Sequence, residues 1–103
     1  MIIELHANPG KLSPAAFAEA VEASGVDGGV VACADGVARV DDYVEAVKNA
    51  GRVAFVGVEC TMERGAFVFV PREDNASFRN AKWTPEGRFW TPAEVKQIAA
   101  SQD

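Results

Sequence analysis

The sequence predicts an α/β domain built on a mostly parallel sheet with flanking helices. Along the first 71 residues, continuous apolar runs alternate with segments whose apolar residues recur at helical spacing. The runs at residues 28–33 and 53–58 show no polar alternation, which is typical of strands covered on both faces. Strands separated by helices pair in parallel, so their carboxyl ends meet at the edge where α/β sheets bind ligands.

Local signals place each element of this core in turn. A short strand is predicted at Ile2–Leu5, and Ser13-Pro14 then gives an N-cap and an N1 proline to a helix that stops at Gly25. The apolar face of this helix is predicted to carry Phe17, Ala20, Val21 and Ser24. A strand at 28–33 and a turn at Asp35-Gly36 follow. The next element is a helix that ends before Gly51 and whose buried face is predicted to carry Val40, Tyr43, Val44 and Val47. Two further strands are predicted at 53–58 and at 65–70, the second ending before Pro71.

The C-terminal tail, residues 72–103, differs in composition from the α/β core at residues 1–71. It carries five basic and five acidic residues, whereas residues 1–71 carry five and ten, which gives the whole chain its net charge of −5. We expect an irregular segment at 75–90 and then a short helix that begins with the capping box Thr91–Glu94. The tail either covers the open edge of the sheet within one domain or forms a subunit interface through Phe78, Trp83, Phe89 and Trp90.

Composition argues against several classes of partner. A pI of about 4.8 disfavours nucleic-acid binding, although basic and aromatic residues alternate in the tail. No run approaches the roughly 20 apolar residues of a membrane span, and the first residues do not resemble a signal peptide. We therefore expect no membrane association and a cytoplasmic protein, in which Cys33 and Cys60 are buried, reduced thiols.

Polar residues near the predicted strand ends form a candidate ligand-binding cleft: His6, Asn8, Asp35 and Glu59. His6 is the one histidine of the chain, and three interpretations stay open for it. Its ring pairs with Glu59 or a backbone group, or it is a lone weak metal ligand, or it is catalytic in another chemistry. Cys60 follows Glu59 directly, so the two side chains point to opposite faces of a strand and do not serve one site.

The order of these motifs resembles the PHP (polymerase and histidinol phosphatase) family over about two-thirds of the chain. Where that family has Asp-Leu-His-x-His, Ala-Gly-Leu-Asp-Gly, Thr-Asp-His, Gly-x-Glu and Gly-His, this sequence has residues 4–8 (ELHAN), 24–28 (SGVDG), 32–34 (ACA), 57–59 (GVE) and 65–66 (GA). The resemblance implies a fold equivalent to about half of a distorted (βα)7 barrel. It also implies metal-dependent phosphoester hydrolysis by a two- or three-metal cluster.

The chain departs from the PHP pattern at the metal ligands. Asn8, Ala34 and Ala66 stand where the family has histidines, which leaves His6 and Glu59 as weak candidates for metal binding. We therefore expect a catalytically degenerate PHP-like module, without enzyme activity or cofactor, that acts in assembly, binding or regulation as a homo-oligomer or with a protein partner. One alternative is a Zn- or Mn-dependent phosphoesterase whose reduced site is completed at a subunit interface. Another is a small-ligand or phosphate-binding module that uses the cleft.

Overall fold

A computed structural model describes residues 1–34, 36–37 and 39–102, and it confirms the α/β class with a four-stranded, mostly parallel sheet. The strands lie in chain order, β1-β2-β3-β4; β1–β2 and β2–β3 are parallel and β3–β4 is antiparallel. The elements are β1 (Ile3–Ala7), α1 (Pro14–Ala23), β2 (Gly28–Cys33), α2 (Val40–Asn49), β3 (Val53–Thr61), β4 (Ala66–Phe69), α3 (Ala76–Asn80) and α4 (Pro92–Ala100).

The helix signals of the sequence are confirmed. The Ser13 side chain accepts a hydrogen bond from the Ala16 amide, and Pro14 is the first residue of α1. Thr91 and Glu94 form the reciprocal capping box of α4. Gly25 follows α1 with a φ of 79°, a conformation that only glycine adopts without strain. These local contacts fix both ends of α1 and the start of α4.

Three elements differ from the sequence expectation. β1 covers Ile3–Ala7 rather than Ile2–Leu5, so His6 lies within this strand. β3 runs to Thr61 rather than ending at 58, because its last four residues pair with β4 in an antiparallel hairpin. Glu59 therefore lies within a strand rather than after one. The segment expected to be irregular at 75–90 contains α3, which Asn75 caps by accepting a hydrogen bond from the Phe78 amide.

All four helices pack on one face of the sheet, which we call the helix-covered face. Alternate residues of β3 define this face, and α1 and α2 cover its first half: Ala54 and Val56 pack in a cluster with Phe17, Tyr43 and other apolar residues. The tail covers the second half, where Val58 and Cys60 pack with Phe78, Trp83, Trp90 and Val95. The tail thus covers a face of the sheet, not its edge.

This packing buries three of the four aromatic residues that were predicted to lie at an interface. Phe78, Trp83 and Trp90 are buried inside this chain, where their rings pack with β3, β4 and α4, and an interface role for them stays a prediction. The Trp83 indole donates to the Phe78 carbonyl at 2.8 Å, which satisfies its polar atom. Phe89 is half-buried with the Arg88 guanidinium 5.1 Å from its ring, and an interface at Phe89 stays a prediction.

The opposite face, which we call the open face, carries Val30, Ala32, Phe55, Gly57 and Glu59. Val30 and Ala32 are buried there by neighbouring strands, because the sheet curls tightly at Gly57: a Cβ at that position would lie 2.8 Å from Val30 Cγ1. Along the sheet, β1 and β4 are the edge strands. Exposed apolar side chains gather at the first edge: Met1, Ile2 and Leu5. No helix within the described ranges combines the length and apolar character of a membrane span.

Candidate functional site

The sheet brings His6, Asn8 and Glu59 together at the carboxyl end of its open face. Glu59 Oε2 accepts a hydrogen bond from Asn8 Nδ2 at 2.7 Å and lies 3.3 Å from His6 Nε2. β1 and β3 are not neighbours, so these side chains reach each other across β2. They can do so because the β2 residue on this face nearest the carboxyl end is the small Ala32, which pairs with Gly57.

A bulge in β1 directs His6 toward the open face. Glu4 pairs with Gly29 and Ala7 with Val31, so three steps on β1 match two steps on β2. A bulge of this kind adds one residue and re-aims the side chains beside it. Glu4 Oε1 accepts a hydrogen bond from the His6 amide at 3.1 Å, which stabilises the irregular backbone. Sequence alternation alone did not predict this irregularity.

Asn8 uses both ends of its amide to join the loop to the sheet. Its Oδ1 accepts a hydrogen bond from the Gly10 amide at 2.9 Å, while its Nδ2 donates to Glu59. The following loop is anchored on α2, where the Arg39 guanidinium donates to the Gly10 carbonyl at 3.0 Å and the Tyr43 hydroxyl donates to the Leu12 carbonyl. The apolar pattern predicts Tyr43 only as a core residue; its spacing of four residues from Arg39 is the signal for this anchor.

The two cysteines lie away from this cluster. Cys60 and Cys33 are both buried on the helix-covered face, whereas Glu59 faces the open side. Burial, with a smaller contribution from the Glu59 carboxylate, raises the pKa of the Cys60 thiol to about 11. A thiol in this environment is a poor nucleophile and a poor metal ligand at neutral pH. The fourth predicted cleft residue, Asp35, lies outside the described residues.

The donor set at this cluster does not fit the two- or three-metal centre that the PHP resemblance implies. Within residues 1–34, 36–37 and 39–102, no group of three His, Cys, Asp or Glu side chains is placed to hold a metal ion. Hydrolytic zinc sites use three strong protein ligands. This cluster contains one imidazole, that of His6, and one carboxylate, that of Glu59. The Asn8 side-chain oxygen accepts a hydrogen bond from the Gly10 amide and does not point into the cluster.

Another polar cluster, which the sequence analysis did not single out, ties the tail to α2. The Arg79 guanidinium bonds to Asp74 within the tail and to Asp41 on α2 at 2.8 Å. The N-cap position of α2 is Arg39, which makes no side-chain capping bond. Asp41, in the first turn of α2, is exposed to solvent and supplies an ion pair between the two elements.

Comparison with known proteins supports the fold. No family model matches this chain, and no curated protein matches it. Among solved structures, the chain is similar to a candidate metal-dependent phosphoesterase from Bifidobacterium adolescentis, with 24% sequence identity and a TM-score of 0.52. The match covers 76% of this chain and 30% of that one, so this chain spans less than a third of the solved protein. The two chains share an α/β fold over the matched region.

Proposed function

We propose that this chain is a non-catalytic, PHP-like module that acts in binding and assembly. One observation carries the proposal: the Asn8 amide and the His6 ring both meet the same oxygen of Glu59. A hydrolytic metal centre needs these ligand positions to point at metal ions, which bridge substrate oxygens and activate water. In this chain the three side chains bind one another instead.

The neighbouring positions support the same proposal. Ala34 and Ala66 stand where the PHP pattern has histidines, and an alanine side chain has no donor atom. The phosphoesterase activity belongs to the similar solved protein, whose chain is more than three times the length of the matched part. A phosphate-binding role is disfavoured because Glu59 places a carboxylate at the cleft, which repels phosphate.

Metal titration with Zn and Mn, followed by elemental analysis after dialysis, tests the non-catalytic proposal. We expect substoichiometric metal and no chelator-sensitive hydrolysis of p-nitrophenyl phosphate. The triple variant Asn8→His, Ala34→His, Ala66→His restores the missing imidazoles at exposed positions and should bind metal, which checks both the assay and the PHP correspondence. Two or more metal ions per wild-type chain, with hydrolysis that is lost in His6→Ala, would overturn the proposal.

The assembly role is supported by the first edge of the sheet. β1 hydrogen-bonds along one side only, and Leu5 within it is 73% exposed. Soluble proteins cover such edges and apolar side chains, most simply with another copy of the same chain. Analytical ultracentrifugation should show a wild-type dimer that Leu5→Lys dissociates, whereas Leu12→Lys, at an exposed loop residue, should leave it intact. A wild-type protein that stays monomeric at every concentration contradicts the assembly role.

A further inference from the structure

An apolar groove of about 240 Å³ opens on the helix-covered face, between α1 and the first two strands. Val31 and Val47 form its buried floor, Phe17 and Val21 form its wall, and Glu4 lies at its rim. The groove is separated by the sheet from the cluster of His6, Asn8 and Glu59. Nothing in the proposed assembly role uses it.

The groove exists because small residues face each other across it. The predicted apolar face of α1 is only partly covered: Ala20 and Ser24 are exposed at the rim. Opposite them, Gly29 of β2 alternates with Val31 on the helix-covered face and places no side chain under the helix. A Cβ at Gly29 would lie 3.3 Å from the Glu4 carbonyl oxygen and 3.4 Å from the Ala7 Cβ, at the floor of the groove. Space therefore remains where a core side chain would otherwise pack.

The size of the groove matches a small ligand with one ring. An apolar cavity of about 150 Å³ holds a benzene molecule, so about 240 Å³ accommodates a six-membered ring with a short substituent. Larger organic ligands need pockets of about 300 Å³ or more. The site is thus too small for a nucleotide.

The charge of the Glu4 carboxylate indicates which polar group a ligand of this groove should carry. Glu4 is the one charged residue among the described residues that line the groove, and no lysine, arginine or histidine lines it. One Glu4 carboxylate oxygen accepts the His6 amide hydrogen bond, and Glu4 is exposed at the rim, where an incoming donor can reach it. A carboxylate at the mouth of an apolar groove favours a cationic head group on an apolar body.

We propose that this groove binds small primary amines that carry one apolar ring, with the ring against Val21 and Val31 and the ammonium group beside Glu4. The apolar floor supplies most of the binding free energy, since burial of apolar surface is favourable and non-directional. The exposed ion pair supplies selectivity for the amine over a neutral analogue of the same shape. Ligands of this size bind in the millimolar range.

NMR titration of the full chain with benzylamine, and with benzyl alcohol as its neutral analogue, tests this inference. The amide signals of Gly28 and Gly29, under the groove, should shift with either compound. Benzylamine should bind about 2- to 5-fold more tightly, which is the magnitude expected of an exposed ion pair. Glu4→Gln, which keeps an oxygen to accept the His6 amide, should abolish that preference while leaving benzyl alcohol binding unchanged.

A matched pair of variants on α1 separates this groove from other surfaces. Ala20→Phe fills the mouth and should eliminate the Gly28 and Gly29 shifts, whereas Ala15→Phe, at an exposed position on the opposite side of α1, should retain them. Equal affinity for the two compounds, or shifts that persist in Ala20→Phe, would overturn the inference. So would Ala20 and Val21 amide signals that move on dilution without ligand, since a second copy of the chain would then occupy the groove itself and not only the β1 edge.

Discussion

Asn8 and Glu59 are 51 residues apart in the chain, yet the Asn8 amide nitrogen lies 2.7 Å from the Glu59 carboxylate. This hydrogen bond links the loop after β1 to the third strand across the intervening β2. The Glu59 side chain is only 14% exposed, so water competes weakly for its oxygen. The contact therefore stabilises the cluster of His6, Asn8 and Glu59.

A double-mutant cycle measures this contact. Asn8→Ala and Glu59→Ala should each lower the free energy of unfolding, with a coupling free energy of about 1.5 kcal/mol, at the low end for a hydrogen bond to a charged group. Urea denaturation provides the measurement. Asn8→Ala combined with Glu63→Ala, at an exposed residue of the β3–β4 turn, is the control and should be additive. Additivity in the Asn8–Glu59 cycle itself would mean that the hydrogen bond does not form in solution.

The buried tail aromatics give a second prediction. Trp83→Ala should lower the free energy of unfolding by about 3–5 kcal/mol, because it removes a fully packed ring between Phe69 and Phe78. Phe67→Ala, at a ring that is 44% exposed on β4, should cost much less. In the wild type, acrylamide should quench the emission of Trp83 and Trp90 only weakly. Strong quenching of the native protein would place the tail in water and contradict the packing of the tail on β3.

The pairing of Asp74 with Arg79 makes stability depend on pH. The hydrogen bond from the Arg79 guanidinium holds the pKa of the Asp74 carboxyl below its usual value of 3.8. An unfolded Asp74 takes up a proton at higher pH than the folded one, so this stabilisation is present above about pH 4 and is lost as the pH falls through the lower, folded pKa. Asp74→Asn should thus be less stable than wild type at neutral pH and converge with it in acid. Asp42→Asn, on the exposed side of α2, should leave the pH profile parallel to that of the wild type.

Glycine substitutions test how closely the strands approach. Gly28→Ala should destabilise the protein severely or prevent folding, because its Cβ would overlap the Val53 backbone at 1.8 Å. Gly57→Ala should cost less, since its Cβ would lie 2.8 Å from Val30 Cγ1 and 3.2 Å from the Phe69 carbonyl oxygen, a milder overlap than at Gly28. Gly87→Ala is the control, with open space around its Cβ and an expected change within about 0.5 kcal/mol. Equal losses at all three positions would contradict the curled sheet.

The sequence predicted correctly those elements that depend only on residues close together in the chain. The Ser13 cap, the Thr91–Glu94 box and the continuous apolar strand at 28–33 depend on neighbours in sequence, and all three were found. The proximity of His6 and Glu59 was predicted because strand ends of a parallel sheet converge, and ligand binding at these residues stays a prediction.

The differences arise from contacts between distant residues. β3 extends to Thr61 because β4 pairs with it, and no pattern within residues 53–61 specifies that partner. The bulge before Ala7 depends on how β1 registers against β2. The groove beside α1 depends on Gly29, which leaves β2 without a side chain under the helix, and a helical wheel of α1 alone shows only an apolar face that should be buried.

The position of β3 also determines which parts of the chain can unfold locally. β3 hydrogen-bonds to strands on both sides, and Val56 packs against both hydrophobic clusters, one under α1 and α2 and the other under the tail. Neither cluster can come apart completely without exposing part of this strand. Amide hydrogens in the middle of β3 should therefore exchange with solvent only through global unfolding, while those of β1, at the sheet edge, exchange through local opening at lower free energy.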